Sequence, residues 1–383
     1  LELTVTKKVL FVTNDFGPRA GGIETFIIGL IERRPFGATI VYTSAQADTQ
    51  AYDQKWLTDH GVQIIRDRSK ILLPTPRVAH KLAAIIKAEG IRTAAFGAAA
   101  PLGLLSAAMK RAGVVRTIAL THGHEVWWAK LFPFKLLLRR IGTTVDVLTY
   151  LGDFTKNAIS KALTPSAKAA MVKIAPGIDA QHFAPQDAST LRAALGLGDK
   201  KVIISVGRLV HRKGQDQLIA AMPQILKSVP TAHLLLIGQG PYYDDLVEGM
   251  RKLKLENDVT FIGRIQYEAL PQYICLGAVF AMPSRSRLMG LEVEGLGIVY
   301  LEASACGLPV IAGSSGGAPD AVVAGKSGIV VNGLDSAQIA ESAISLLNHP
   351  DSAREMGIFG RQWIIDNWSW EIWSKEFEDL LNQ

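Results

Sequence analysis

Cysteine is nearly missing from this chain of 383 residues, which holds two, Cys275 and Cys306. Both stand among apolar neighbours. Two thiols make neither a disulfide framework nor a cysteine-based metal set, and the scarcity implies a reducing compartment. Long apolar runs are missing too. The softest stretch, Ala94 to Met109, is rich in alanine and glycine and broken by Pro101, too short and too interrupted to span a bilayer. The opening LELTVTKKVLFV shows no leader-peptide pattern. No Gly-Lys-Ser/Thr follows the glycines of residues 14–24, so there is no P-loop. In Ile237-Gly-Gln-Gly-Pro-Tyr-Tyr243 a tyrosine stands where a dinucleotide fingerprint needs its third glycine. These absences count against a disulfide-stapled module, a membrane-spanning protein, a P-loop nucleotidase and a nicotinamide enzyme.

Acidic residues are scarce in the first half. Residues 1–178 hold 24 Lys+Arg against 12 Asp+Glu, a balance of +12. The remainder holds 17 against 23, a balance of −6, and the two sum to the net +6 of the chain. A basic first half implies an anionic partner, such as a lipid headgroup, nucleic acid or a phosphorylated acceptor.

Apolar residues make up 48% of the chain, ample for two cored domains. Short apolar runs at 9–13, 39–43, 62–65, 93–96, 116–120 and 145–149 predict strands, with longer amphipathic stretches such as 78–88 and 153–163 between them. Around 175–200 the texture turns to Pro, Ala and polar residues and predicts a linker. The rhythm restarts with strands at 202–206, 233–237, 259–262, 278–282, 308–312 and 328–331. Alternation of this kind predicts two parallel α/β domains with a cleft between them. The tail RQWIIDNWSWEIWSKEFEDLL carries five aromatics at helical spacing and predicts packing helices.

Several motifs carry chemistry. Open α/β sheets bind ligands at the carboxyl ends of their strands. Gly207-Arg-Leu-Val-His-Arg-Lys-Gly214 follows such a strand, so Arg208 and Lys213 project a guanidinium and an ammonium suited to a diphosphate. Glu294 and Glu302 stand eight residues apart around Gly295-Leu296-Gly297, a spacing that points both carboxylates to nearly one side of a helix, with Glu294 at or just before the helix start and Glu302 inside it. Two acceptors for sugar hydroxyls with glycine amides beside them suit a nucleotide sugar. Asn14–Glu24, with Gly17, Gly21 and Gly22, opens a helix whose amides suit a phosphate, or is an ordinary turn. Ser314-Ser-Gly-Gly-Ala-Pro-Asp320 is another glycine-rich entry to a helix.

Thr121-His122-Gly-His124-Glu125 ends a strand, where a histidine serves catalysis, substrate binding or structure; as a metal site it is disfavoured, because extended alternation turns Glu125 away from the histidines. Trp127 to Arg140 interleaves aromatics with cations, suiting either a lipid interface or a half-buried helix with a basic edge.

The ordered set GGIE, THGHE, PGID, SVGRLVHRKG, IGQGP, FIGRI and EGLGIVYLEASACGLPVIAG, closed by the tryptophan tail, covers nearly the whole chain and resembles retaining glycosyltransferase family 4. The resemblance implies the α/β GT-B fold: an acceptor-binding Rossmann-like domain over 1–176, a nucleotide-sugar domain over 177–365, and a C-terminal helix over 366–383 crossing back to the first. It implies that Arg208 and Lys213 hold the donor diphosphate and that Glu294 contacts the donor sugar, with Gly295, Leu296 and Gly297 beside it. It further implies that Glu302 accepts the ribose hydroxyls and that the Arg264-Ile265 backbone meets the base. His122 would lie near the reacting carbon, Gly21 or Gly22 near the phosphates, and Asp15, with Gly22, at the acceptor. One departure is the long approach SRSRLMGLEVEGLG, which leaves Glu292 as a competitor for the role of Glu294.

Within the family, NDFGPRAGGIETFI and the charged first domain are most similar to the actinobacterial phosphatidylinositol mannoside mannosyltransferases. That likeness implies GDP-mannose as donor, with no metal or resident cofactor, and an anionic lipid acceptor at the cytoplasmic face of the membrane, reached by peripheral contact of the basic domain. A UDP-sugar enzyme acting on a soluble acceptor such as inositol phosphate shares every motif. A non-catalytic nucleotide- or polyanion-binding protein is the other alternative.

Overall fold

The strands at the centre of each sheet are buried over nearly their whole length, as parallel strands covered by helices on both faces must be. The first unit holds β1 (Val9–Thr13), β2 (Thr39–Thr43), β3 (Gln63–Arg66), β4 (Thr93–Phe96), β5 (Arg116–Ala119), β6 (Val147–Tyr150) and β7 (Met171–Lys173), the edge strands β3 and β7 being only partly buried. They form a seven-stranded parallel sheet in the order β3-β2-β1-β4-β5-β6-β7. The structure, a computed structural model, describes residues 8–19 and 21–383. The segment ahead of Lys8, read above for a leader pattern, lies outside the described residues.

The second unit holds β8 (Lys201–Val206), β9 (Ala232–Ile237), β10 (Val259–Gly263), β11 (Val279–Met282), β12 (Val310–Gly313) and β13 (Gly328–Val331). These form a six-stranded parallel sheet in the order β10-β9-β8-β11-β12-β13. The first unit runs to Gly177 and takes in Trp370–Gln383; the second is Ile178–Ser369. The strand expectations at 39–43, 93–96 and 328–331 coincide with β2, β4 and β13. The segment expected to be linker carries a helix, Ser189–Ala194.

The aromatic tail divides. Trp363 lies in the last turns of the long helix Pro350–Asn367 and packs edge-on against Trp368. Beyond it the helix Trp370–Asn382 lies on the helix Gly22–Glu32 of the first unit. A Cβ at Gly29 would stand 2.2 Å from the Trp370 ring, and the Arg33 guanidinium sits 4.5 Å over that ring. Phe377 meets Phe11 of β1 at 5.8 Å between centroids. Arg34, buried, bonds Thr39 Oγ1 at 2.9 Å and pairs with Glu378 at 2.5 Å. Trp370, Trp373, Phe377, Leu380 and Leu381 are buried along this helix, each contributing roughly 1.5–3 kcal/mol as an upper estimate.

Candidate functional site

Each sheet reverses its order once, and ligands in such sheets bind at that reversal, beyond the carboxyl ends of the strands. In the second unit the reversal falls between β8 and β11. The segment after β8 carries Arg208 and Lys213, and the segment after β11 carries Glu292 and Glu294. In the first unit it falls between β1 and β4. The segment after β1 carries Asp15, Gly21 and Gly22, and the residue after β4 is Gly97, partner of His122.

In the second unit Glu294 is buried and ion-paired twice on the same oxygen. Arg212 Nη1 donates to Oε2 at 2.5 Å, and Lys213 Nζ lies 2.8 Å from it. Burial works to raise the Glu294 carboxyl, yet Lys213 and Arg212 outweigh it and hold the group below its ordinary value. Burial pulls the Lys213 ammonium down, and Glu294 opposes that pull. Arg208, by contrast, is exposed and has no side-chain hydrogen bond or ion pair among the described residues. Arg212 was not singled out from sequence. Its role depends on two loops meeting: its carbonyl accepts from Arg285 N at 2.8 Å.

The glutamate pair straddles a helix start, as its sequence position predicts. The helix is Ile298–Ala305, so Glu302 lies on it while Glu294 precedes it in irregular chain. Glu294 is held there by packing against the glycine-rich loop after β12. Gly317 N donates to Glu294 O at 2.8 Å. A Cβ at Gly316 would stand 2.1 Å from Glu294 O, and one at Gly317 would stand 2.1 Å from Gly295 O. Only glycines let the two backbones meet. Beneath them Tyr300, fully buried, donates to Met282 O at 2.6 Å. The long approach to Glu294 is taken up by a turn bridging Arg287 and Glu292, with Leu288 and Met289 exposed at its tip. Glu292 itself pairs with Arg287 at 3.2 Å and is half-buried, whereas Glu294 is the partner of Lys213. Gly295 and Leu296 follow Glu294 directly, and Gly297 caps the helix. Arg264 and Ile265 lie in the loop that leaves β10, at the same end of the sheet.

Glu302 makes no side-chain hydrogen bond among the described residues, and burial pushes its carboxyl up to about 7, with Lys213 opposing. The folded protein therefore keeps this proton up to about pH 7, while the unfolded chain releases it near 4.5. Its contribution to stability is complete below that lower value and is lost as pH rises through the upper one. Glu302→Gln is expected to match the parent in thermal midpoint at pH 4 and to exceed it at pH 8. Melting curves at the two pH values check this, and a pH-independent difference would contradict it.

In the first unit His122 Nε2 donates to Gly97 O at 2.5 Å, with Phe26 edge-on to the ring at 5.6 Å. Burial holds the imidazole below its ordinary value, so the ring is neutral at pH 7. The extended alternation expected through His124 ends at Gly123, whose φ of 115° turns the chain into the helix Glu125–Lys130. Glu125 is therefore folded back rather than turned away. Its Oε2 accepts from His122 N at 3.0 Å, and its Oε1 lies 3.1 Å from His124 Nε2. Among the described residues no group of three or more His, Cys, Asp or Glu side chains could hold a metal ion.

Gly21 caps the helix that Gly22 opens, and Glu24 lies against it: a Cβ at Gly21 would stand 2.4 Å from Glu24 Oε2. Arg19 offsets that charge, reaching Glu24 at 2.6 Å and Asp15 at 3.1 Å. Burial, then Glu24, raises the Asp15 carboxyl. The tryptophans of the Trp127–Arg140 segment turn inward, packing on Phe134 at 4.8 and 5.2 Å. Leu131, Phe132 and Leu136 are exposed instead, beside exposed Lys135, Arg139 and Arg140.

Comparison with known proteins adds to this geometry. A family model described as Glycosyl transferases group 1 matches residues 187–363. Over 377 residues the chain is 43% identical to a GDP-mannose-dependent alpha-(1-6)-phosphatidylinositol monomannoside mannosyltransferase of Mycolicibacterium smegmatis, covering 98% of each chain. It is 41% identical over 385 residues to a GDP-mannose-dependent monoacylated alpha-(1-6)-phosphatidylinositol monomannoside mannosyltransferase of Corynebacterium glutamicum, covering 99% of each. Among solved structures, Anabaena HepE in complex with UDP is similar with a TM-score of 0.82, over 98% of this chain and 99% of that one. At 19% identity that likeness is one of fold alone.

Proposed function

The chain belongs to the group 1 glycosyl transferases, in the same family as the phosphatidylinositol monomannoside mannosyltransferases, and from that premise we propose that it transfers mannose from GDP-mannose to a phosphatidylinositol mannoside. It is a glycosyltransferase of GT-B fold, the class its ordered motifs resemble. The observation that carries the substrate assignment is 43% identity along 98% of the chain, because that length includes every segment expected to meet donor or acceptor.

In this assignment Arg208 and Lys213 hold the diphosphate, Glu294 accepts from sugar hydroxyls, and the amides of Gly295, Leu296 and Gly297 lie beside the donor. Glu302 accepts from the ribose, and the backbone of Arg264 and Ile265 faces the base. The free guanidinium of Arg208 and the buried pair of Lys213 with Glu294 support it. His122 is assigned to the neighbourhood of the reacting carbon, Gly21 or Gly22 to the phosphates, and Asp15, with Gly22, to the acceptor. A neutral His122 contacts the sugar through hydrogen bonding without adding charge. The acceptor hydroxyl attacks the anomeric carbon on the face from which the diphosphate departs. The carbon–phosphate-oxygen bond breaks as the new glycosidic bond forms, and the departing oxygen takes the hydroxyl proton. Cationic side chains stabilise the charge growing on that oxygen, so the step is written without a metal or resident cofactor.

The test is GDP-mannose with phosphatidylinositol monomannoside in vesicles. Expected is a lipid heavier by one hexose, its linkage read by NMR. Transfer from a UDP-sugar to inositol phosphate, with none from GDP-mannose, would overturn the assignment.

Membrane contact is proposed to be peripheral. Among the described residues no helix is long and apolar enough to cross a membrane. Phe132 and Leu136, exposed beside Lys135, Arg139 and Arg140, form a patch suited to an anionic surface. Replacing Phe132 and Leu136 by serine and the three cations by glutamine is expected to weaken sedimentation with anionic vesicles at least about tenfold. Unchanged sedimentation would remove this patch from the proposal.

A further inference from the structure

Lys213 and Arg212 both converge on Oε2 of Glu294, at 2.8 and 2.5 Å. The other oxygen, Oε1, makes no hydrogen bond among the described residues. A carboxylate held by one cation swings about its last torsion, since that rotation is soft. One held by two donors from different directions is fixed, and its second oxygen keeps its lone pairs for a ligand. Arg212 is itself pinned. It stands in the single turn His211–Lys213 after β8. Its carbonyl accepts from Arg285 N, on the segment after β11, at 2.8 Å. Its Nε also lies 3.8 Å from Glu292, so it spans both glutamates that compete for the donor sugar.

We propose that Arg212 is a positioning residue for the donor sugar: it fixes Oε2 of Glu294 and thereby presents Oε1 to a sugar hydroxyl. The inference rests on the assignment of Glu294 to the sugar and goes beyond it. It makes Arg212 act through the glutamate rather than on the diphosphate, dividing two adjacent cations of one turn between two parts of the donor.

The division is tested by comparing GDP with GDP-mannose, ligands that differ by the sugar. Binding of each is measured calorimetrically for the parent, Arg212→Met, Arg212→Lys, Glu294→Gln and the Arg212→Met/Glu294→Gln double variant. Arg212→Met leaves Lys213 against Glu294, so the buried carboxylate keeps a counter-ion, and GDP binding reports that the site is folded. Expected is GDP affinity within about twofold of the parent, with GDP-mannose affinity lowered about tenfold or more, the usual size of one lost charge-assisted bond. Arg212→Lys should recover part of that loss. Glu294→Gln should show the same sugar-specific loss, and the double variant no further loss. Equal weakening of GDP and GDP-mannose by Arg212→Met would place Arg212 on the diphosphate and overturn the inference. A sugar-specific loss in Glu294→Gln but not in Arg212→Met would overturn it while leaving the Glu294 assignment standing. No sugar-specific loss in Glu294→Gln would remove both.

Discussion

Replacing Lys213 by alanine is expected to lower transfer from GDP-mannose by about a hundred- to a thousandfold with the fold preserved. The magnitude follows from the place of the ammonium: buried at the end of β8, where attraction to a growing negative charge is weakly screened. The fold survives because Arg212 still neutralises Glu294. Arginine at 213 should restore little, since a planar fork does not fill the space of a compact ammonium. Arg208→Ala is expected to fall in the same range, through an exposed group whose removal strands no buried partner. Single-turnover rates at saturating donor, beside melting curves, provide the check. A folded Lys213→Ala protein that turns over at the parental rate would end the assignment of this residue to the leaving group.

Gly317→Val is expected to cost both stability and donor binding. The obstacle is a carbonyl, Gly295 O, standing 2.1 Å from where the new Cβ would lie. A side chain could rotate away, but here one of two backbones must separate. Overpacking of this kind costs about 1–3 kcal/mol, and here it falls on the segment that carries Glu294. Since Gly317 N donates to Glu294 O, separation also breaks that bond. The thermal midpoint should fall by several degrees, and GDP-mannose affinity should fall further than stability alone explains. Gly325→Val, where a Cβ meets nothing within 4 Å, is the control for sterics, although its φ of 76° strains a branched residue. Parental donor affinity in a folded Gly317→Val protein would show that contact between the two loops is dispensable.

What could be read from sequence was whatever depends on local pattern. Buried parallel strands are short and apolar, so Thr39–Thr43 and Thr93–Phe96 declare themselves, and the residues after each strand inherit a position at the ligand-binding end of the sheet. Arg208 and Lys213 are legible on that ground. β7 was not, because Met171–Lys173 is three residues long and lies at the sheet edge. The helix start between Glu294 and Glu302 is legible in the same way, but the support of Glu294 by the loop after β12 is not, because that contact joins segments distant in sequence. Glu125 was misdirected because one left-handed glycine ended the alternation assumed for it. Arg212 carries no signal of its own in the sequence. Its significance lies in a carboxylate eighty-two positions later, a relation no local pattern contains.

The division of the aromatic tail bears on the order in which the protein is made. Ile178 N donates to Trp368 O at 2.6 Å, so the second unit begins and ends on neighbouring strands of chain and is one uninterrupted stretch. It can complete itself as soon as Ser369 has left the ribosome. The first unit, although its sheet is synthesised earliest, lacks the cover for Phe11 and Phe26 and the partner of Arg34 until Trp370–Asn382 arrives. During translation the earlier-born sheet therefore waits, with Phe11 and Phe26 uncovered, for the helix Trp370–Asn382. That is the interval in which a nascent chain has most need of a chaperone.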